Sequence, residues 1–190
     1  SFPTRRSSDL YVMPYGDNPF DTDRVGENIY MDIISRSVRY VHIMTPYLIP
    51  DARMLDALCF AAERGVDVKV IFPGIPDKKL AYYLGKTYFR KLIRSKVKIY
   101  IYEPGFVHAK VFVSDDIKAT VGSVNLDYRS LYHHFECGCY MYDTDCVTDV
   151  ENDFEETLSR CSKVTLSTIN SEKWYVKVLG QLMRLVAPLL

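Results

Sequence analysis

Short apolar runs alternate with amphipathic segments along the first half of the chain. The runs are rich in Val, Ile and Tyr, have the length of buried strands, and cover residues 11–15, 39–45, 66–72 and 96–102. Segments with apolar residues at helical spacing separate them. This order of strand and helix favours an α/β fold with a mixed, largely parallel sheet that is flanked by helices on both faces.

Local signals mark the ends of the three helices that lie between these runs. Asp23 is expected to cap the first helix and Asp51 the second, and Gly65 ends the second helix. Asp77 opens a long basic helix that runs to about Ser95. Each signal is local, so these boundaries follow from the residues at the helix ends alone.

The second half of the chain contains a hairpin, a further strand and two helices. The hairpin strands cover residues 107–113 and 117–121, and the next strand covers 133–142. Asn125 or Asp127 can cap a short helical turn between the hairpin and that strand. The two helices are expected at residues 143–160 and 171–186. Residues 1–10 have no hydrophobic period, so we predict a non-native or disordered tail there and one catalytic domain over residues 11–190.

His108 and Lys110 stand two residues apart in the apolar run 107–113. Side chains two apart on a strand share one face, so the imidazole and the ammonium are expected to project together, away from the apolar residues between and beside them. A nitrogen that can attack phosphorus, next to a cation that balances the charge of the phosphoryl oxygens, suits phosphoryl transfer. The pair therefore predicts a phosphoryl transfer site.

Composition limits the partners of such a site. Lysines and arginines number 24, as do aspartates and glutamates, so no overall positive field attracts the chain to a nucleic acid. No apolar run approaches the roughly 20 residues that span a bilayer, so any membrane contact by this chain is expected to be peripheral. Five cysteines without a secretory leader indicate reduced thiols.

A metal site is not expected. Histidines and cysteines cluster at His133, His134, Cys137 and Cys139, but they lack the C-x-x-C spacing of a zinc site. Strand alternation also places His134 opposite the two cysteines. Buried thiols are the better interpretation of this cluster.

The residues around His108 resemble a known motif. His108, Lys110 and Asp115 stand in the order H-x-K-x-x-x-x-D, and residues 122–125 follow as G-S-x-N. This pattern is similar to the HKD motif of the phospholipase D superfamily. The longer run PGFVHAKVFVSDD, followed by VGSVNLDYRSLYHHFECG, looks like the second catalytic half of a bacterial cardiolipin synthase.

The resemblance implies roles for the residues of the motif. His108 would be the nucleophile or the general acid, and the usual order of the family's two motifs favours the acid. Lys110 would neutralise phosphate oxygens, and Ser123 and Asn125 would donate hydrogen bonds to them, although both are also ordinary capping residues. Asp115 belongs to the motif's catalytic group, but its position at a turn indicates a structural role, pairing with a cation or capping backbone amides.

Glu136 is a further site candidate. It alternates with the mostly apolar residues 133, 135, 137, 139 and 141 and so faces away from them. The resemblance implies an acid here that orients an active-site imidazole, as carboxylates do in other histidine-based sites. The alternative is an exposed glutamate without a role in the site.

The implied activity is phosphatidyl transfer between two phosphatidylglycerol molecules through a phosphohistidine intermediate, without a metal or an organic cofactor. The implied partners are phosphatidylglycerol and a membrane surface. The expected location is the cell membrane, with this segment peripheral on its cytoplasmic side. Family members of this kind build one active site from two motifs, whereas this chain carries one.

The missing motif leaves two interpretations open. His42, His133 and His134 have no lysine two residues on, so none of them forms a second motif. The chain is then either the C-terminal half of a longer enzyme, which the unusual tail favours, or one subunit of a homodimer. The homodimer makes a phospholipase D-like phosphodiesterase or nuclease the alternative function, although the neutral charge counts against nucleic acid.

Overall fold

The computed structural model describes residues 10–20, 23–132 and 134–170. This part of the chain forms a single eight-stranded sheet with helices packed on it. The strands are β1 (Tyr11–Asp17), β2 (Tyr40–Met44), β3 (Asp67–Pro73), β4 (Lys98–Tyr102), β5 (Val111–Ser114), β6 (Lys118–Gly122), β7 (Glu136–Tyr142) and β8 (Cys161–Lys163). The helices are α1 (Val25–Arg36), α2 (Ala52–Glu63), α3 (Lys79–Arg94), α4 (Tyr128–Tyr132), α5 (Asp145–Leu158) and α6 (Leu166–Asn170).

The sheet is mixed, with the strand order β1-β7-β6-β5-β2-β3-β4-β8. The α/β class and the mixed sheet are confirmed, but the prediction of a largely parallel sheet is wrong. The pairs β2–β3 and β3–β4 are parallel, and the other five pairs are antiparallel. The strand and helix alternation produces only the parallel unit β2-β3-β4. Although β1 precedes α1, it does not join that unit, because it pairs with β7 at the far edge.

Helices α1, α2 and α3 cover one face of the sheet. Ile33, Leu58 and Phe89 from these three helices belong to one buried core with the strand residues Val70 and Phe112. A stacked contact between Phe112 and Tyr30 of α1, with ring centroids 4.0 Å apart, joins β5 to this layer. Burial of these apolar side chains supplies the main driving force for assembling the layer.

Helix α5 covers the opposite face and is anchored there by a polar cluster. Phe154 stacks on the buried His42 ring of β2, with centroids 4.6 Å apart. The Nδ1 atom of His42 lies 2.8 and 3.0 Å from the two carboxylate oxygens of Glu151. Lys69 of β3 pairs with Glu155 one turn further along the helix, at 2.8 Å. Sequence analysis did not find this cluster, because its members are far apart in the chain.

The capping predictions had mixed outcomes. Asp51 accepts a hydrogen bond from the Met54 amide at 2.8 Å, so the predicted cap of α2 is confirmed. Gly65 adopts a φ of +104° after α2, as its helix-ending role requires. The predicted Asp23 cap is wrong. The N-cap residue of α1 is Arg24, which makes no side-chain cap bond.

Asp17, at the end of β1, caps α1 in place of Asp23. Its carboxylate accepts from the Val25 and Gly26 amides at 2.7 and 2.8 Å. A Cβ atom at Gly26 would lie 2.6 Å from Asp17 Oδ2, so the glycine makes room for this contact. The cap was not predictable from spacing, because a strand residue eight positions away supplies it.

The sequence does not predict β8 and α6, which have three and five residues and are too short to show a period. The predicted helix over residues 171–186 lies outside the described residues, and so does the predicted tail apart from Leu10.

We predict that Glu151→Ala lowers the free energy of unfolding by about 2 kcal/mol, because it removes the hydrogen-bond partner of a buried imidazole. Urea unfolding measured by circular dichroism tests this prediction. Glu156→Ala is the control, since Glu156 lies on the same helix and makes only an exposed ion pair with Arg160. Equal losses in the two variants would contradict an anchoring role for the His42 cluster.

Candidate active site

The predicted site lies where the carboxyl ends of the parallel strands meet the start of β5. Met44, the last residue of β2, pairs with Val111, and Pro73 of β3 pairs with Tyr102 of β4. The loops after these strands and the residues just before β5 therefore share one edge of the sheet. In open α/β sheets, ligands commonly bind in a crevice at this edge.

His108 and Lys110 precede β5 and do not lie within it. The strand predicted over residues 107–113 begins only at Val111, because β2 ends opposite that residue and offers no further ladder partner. The predicted apolar face is nevertheless present. Val107 and Ala109 pack with Val111 beneath α5. The apolar side chains thus face α5, as the alternation predicts.

The His108 side chain is exposed at this edge of the sheet, which we call the mouth of the site. Its ring stacks on that of Phe106, with centroids 5.4 Å apart and planes inclined by 30°. Within residues 10–20, 23–132 and 134–170, no hydrogen bond occupies a nitrogen of this imidazole. The ring is positioned by stacking, and its nitrogens are open to a ligand.

Lys110 is buried beside His108, with 7% of the residue exposed. Its Nζ atom donates a 2.6 Å hydrogen bond to the carbonyl oxygen of His108, which uses one of the three ammonium hydrogens. Burial lowers the pKa of Lys110, and the nearby carboxylates of Glu136 and Asp127 oppose this shift. The site therefore contains a partly desolvated cation that can bind an anion.

Glu136 and Ser123 adjoin this cation. The Ser123 hydroxyl donates a short hydrogen bond to the Glu136 carboxylate and accepts one from the Cys137 amide at 2.9 Å. The contact fixes the carboxylate near Lys110. The role of Ser123 as a phosphate ligand stays a prediction, because its hydroxyl hydrogen is directed to Glu136.

The alternation of β7 was interpreted correctly, but the predicted burial of the thiols is wrong for Cys137, which is exposed. Glu136 does face away from Cys137, yet its side chain is buried, whereas the apolar Phe135 is 70% exposed. The reason is that α5 does not cover this end of the sheet. The alternative of an exposed glutamate is therefore wrong. The imidazole near Glu136 is that of His134, at 3.5 Å, so the orientation of His108 by Glu136 stays a prediction.

Asn125 occupies the loop after β6. Its Nδ2 atom donates to Ser130 Oγ at 2.8 Å, and its buried Oδ1 atom has no hydrogen-bond partner among the described residues. The Tyr30 hydroxyl holds the same loop through a 2.6 Å bond to the Val124 carbonyl. Of the two predicted caps of α4, the structure contains the Asp127 cap, which accepts from the Ser130 amide. Sequence analysis missed Ser130 and Tyr30, because no motif includes them.

Asp115 lies at the other end of β5. Its carboxylate accepts hydrogen bonds from three backbone amides, those of Val38, Arg39 and Tyr40, at 2.7 to 2.9 Å. This geometry agrees with the structural interpretation of Asp115. It does not support a direct catalytic role, since the carboxylate is occupied at the end of the strand that is remote from Lys110.

One group of possible metal ligands occurs within the described residues, and it lies outside the predicted site. It consists of His42, Glu151 and Glu155, whose ligand atoms lie within 4.8 Å of one another beneath α5. Lys69 already supplies a positive charge to Glu155. This cluster is accounted for as the anchor of α5.

The fold is that of the phospholipase D superfamily. The structure matches phosphatidylserine synthase of Haemophilus influenzae with a TM-score of 0.74 at 19% identity, covering 95% of this chain and 48% of that one. It also matches Nuc, a phospholipase D family member from Salmonella typhimurium, with a TM-score of 0.68 at 15% identity, covering 82% of this chain and 98% of that one. At these identities the matches establish the fold alone.

The sequence identifies a family within the phospholipase D superfamily. A family model described as "Cardiolipin synthase, PLD-like domain" matches residues 30–158. The chain belongs to this family of cardiolipin synthase, phospholipase D-like domains.

Curated relatives extend the comparison. The chain is 38% identical over 172 residues to a cardiolipin synthase of Clostridium perfringens, covering 90% of this chain and 36% of that protein. It is 35% identical over 174 residues to cardiolipin synthase 2 of Bacillus anthracis, covering 92% of this chain and 33% of that protein. An uncharacterized protein of Streptococcus mutans is 61% identical over 180 residues, covering 95% of this chain and 39% of that protein. The chain thus spans between a third and two fifths of the length of these relatives.

We predict that Lys110→Met leaves the protein at least as stable as the wild type, because the folded state holds this ammonium less favourably than water does. A lowered folded pKa makes the wild type relatively less stable at neutral pH. That deficit disappears as the pH rises from the lowered pKa toward the unfolded value of 10.5. Thermal unfolding of both proteins across this pH range measures the effect.

Lys69→Met is the matched control for this substitution. It removes a lysine whose ammonium is paired with Glu155 on the α5 side, so it is expected to cost up to about 1 kcal/mol at neutral pH. A larger loss of stability in Lys110→Met than in Lys69→Met would show that Lys110 is a structural residue.

Proposed function

We propose that this chain contributes half of a cardiolipin synthase active site, which transfers a phosphatidyl group from one phosphatidylglycerol molecule to another. The observation that carries the proposal is the buried Lys110 ammonium next to the open imidazole of His108. The cation supplies charge where phosphoryl oxygens become more negative. The imidazole supplies the nitrogen that attacks phosphorus or donates a proton.

The chemistry needs two imidazoles. One attacks the phosphorus of the first phosphatidylglycerol, and the bond from phosphorus to the glycerol oxygen breaks. The second imidazole, protonated, gives its proton to that oxygen, so glycerol leaves as a neutral alcohol. A hydroxyl of the second phosphatidylglycerol then gives its proton to the second imidazole, and its oxygen attacks phosphorus. The bond from phosphorus to the first imidazole breaks, and cardiolipin forms. The family resemblance favours His108 as the protonated imidazole.

The second imidazole would come from another motif-bearing half, and an uncovered part of the sheet offers a surface for it. Val121 of β6, Cys137 of β7, and Val12 and Pro14 of β1 are exposed. The strand register places all four on the face that α5 covers further along, where Met141 and Ala119 are buried. We name these four residues the β1-β7 patch. Cys137 of the patch follows Glu136 in β7 and donates its amide hydrogen to Ser123, but the Glu136 side chain projects from the opposite face of the sheet. A second half docked on the patch would therefore have to reach around this end of the sheet to place its imidazole beside His108.

The half-site proposal also bears on location. No helix within the described ranges is long and apolar enough to cross a membrane. We propose that this segment lies peripherally at the cytoplasmic side of the cell membrane, where phosphatidylglycerol is available, and that it uses no metal or organic cofactor.

We predict that this chain, joined to a second motif-bearing half, converts phosphatidylglycerol to cardiolipin and glycerol, and that His108→Ala lowers the rate about a thousandfold. Thin-layer chromatography of labelled lipid measures both products. Glu103→Ala serves as the control, because Glu103 is exposed in the same loop and contacts Ser162, away from the site. Cardiolipin formation by His108→Ala at the wild-type rate would exclude this chemistry.

We predict that Val121→Asp separates the two halves of the site, because a carboxylate would be buried without a partner in the docked interface. For the 190-residue chain, sedimentation velocity measures self-association directly. Val38→Asp is the control, since Val38 is an exposed apolar residue at the opposite end of the strands. A wild-type chain that self-associates, with association unaffected by Val121→Asp, would refute the role of the patch.

A homodimeric phospholipase D-like phosphodiesterase is the second candidate. The match to Nuc favours this candidate, because the aligned part of this chain covers 98% of Nuc. Nuc therefore contains little beyond one such domain. Hydrolysis of a soluble phosphodiester by a dimeric 190-residue chain, without cardiolipin synthesis, would support this function over phosphatidyl transfer. A monomeric chain would exclude it and favour the longer two-motif enzyme.

A further inference from the structure

The loop and first turns that lead from β3 into α3 expose several large apolar side chains. Ile75, Leu80 and Tyr83 are 55%, 49% and 44% exposed. Lys78 and Lys79, which are also exposed, lie between them in the chain. We name these five residues the 75–83 rim. Leu80 and Tyr83 are three residues apart on α3 and therefore share a helix face.

The rim is tied directly to the loop that carries the site. The Gly74 amide donates to the Tyr102 carbonyl at 3.0 Å, and the Ile75 amide donates to the Gly105 carbonyl at 3.4 Å. A Cβ atom at Gly74 would lie 2.5 Å from the Tyr102 oxygen, so this close approach requires glycine. Gly105 is followed by Phe106, whose ring stacks on His108. The exposed Ile75 thus lies beside the mouth of the site.

The charge around the rim is positive. Helix α3 carries five basic residues and no acidic one, although the net charge of the chain is zero. Asp77 is the one acidic residue within residues 74–83, and its carboxylate accepts from the buried Tyr47 hydroxyl at 2.7 Å. Lys78 Nζ lies 5.9 Å from the centre of the same Tyr47 ring. Apolar side chains interleaved with lysines are the pattern of a surface that lies at the interface of an anionic bilayer.

We propose that the 75–83 rim docks this protein on the surface of an anionic phospholipid bilayer. Ile75, Leu80 and Tyr83 enter the boundary between headgroups and acyl chains, and the two lysines contact lipid phosphates. A second copy of the chain fits this surface poorly, because a two-fold contact would bring the lysines of both copies together. The inference rests on the proposed function in one respect, namely that the substrate phosphate lies at the membrane surface.

Vesicle binding tests the apolar part of the rim. The triple variant Ile75→Ser/Leu80→Ser/Tyr83→Ser is expected to bind sucrose-loaded vesicles of equal parts phosphatidylglycerol and phosphatidylcholine about tenfold or more weakly in sedimentation assays. The double variant Val38→Ser/Phe60→Ser is the matched control, because these residues are 78% and 67% exposed and lie outside the rim. Circular dichroism of both variants verifies that they fold.

A second variant tests the contribution of the rim's two lysines to vesicle binding. Lys78→Gln/Lys79→Gln is expected to weaken binding to the anionic vesicles about fivefold or more per lysine and to reduce its dependence on salt. Binding to vesicles of phosphatidylcholine alone should not change. This pattern separates electrostatic attraction from apolar insertion.

Three results would overturn the proposal. The triple variant could bind vesicles like the wild type, or lose no more binding than the control. It could dissociate a dimer in sedimentation velocity with vesicle binding unchanged, which would assign the rim to a protein partner. The lysine variant could lose binding to an oligonucleotide alone, which would assign the charge to nucleic acid.

A soluble substrate separates this proposal from the proposed function. Short-chain phosphatidylglycerol below its micelle concentration needs no docking, so the triple variant should turn it over at the wild-type rate. If neither wild type nor His108→Ala acts on any phosphatidylglycerol, but the triple variant still loses vesicle binding, the chemistry fails and the docking surface stands.

Discussion

The position of β5 between β2 and β6 determines where the site can form. Val111 pairs with Met44 on one side and with Val121 on the other, and β2 ends at that point. The residues before Val111 therefore leave the ladder at the carboxyl edge of the parallel strands. This places the His108 imidazole in the open mouth, while the apolar residues next to it keep their packing beneath α5. A different end to β2 would move the motif into the sheet, where both faces are covered.

Sequence reasoning succeeded where the cause is local. Asp51 and Gly65 mark the ends of α2 because capping and left-handed geometry depend on a few neighbouring residues. The alternation around Lys110 identified the correct apolar face for the same reason. Sequence reasoning failed where contacts between distant segments determine the structure. The partner of β1 is β7, and the cap of α1 is Asp17, and neither contact follows from spacing along the chain.

Burial at the site shows the same difference between local and tertiary causes. Alternation correctly placed Glu136 on the opposite side of β7 from Cys137, but it could not say which side is covered. That depends on the extent of α5, whose residue Val147 packs over Met141 and leaves Cys137 exposed. The sheet therefore buries the polar side chain and exposes the thiol. Only the tertiary arrangement distinguishes a site carboxylate from a solvated one.

The buried charges of the site give a physical reason why the proposed phosphodiester substrate would bind there. Burial lowers the pKa of Lys110, so its positive charge is less stable there than in water, even with Glu136 and Asp127 nearby. Glu136 is itself directed toward Ser123, and the ammonium bonds only to a neutral carbonyl among its described contacts. A phosphodiester anion in the mouth would offset the cost of burying that cation and raise its pKa again. Binding of substrate and protonation of Lys110 are then linked, because each favours the other.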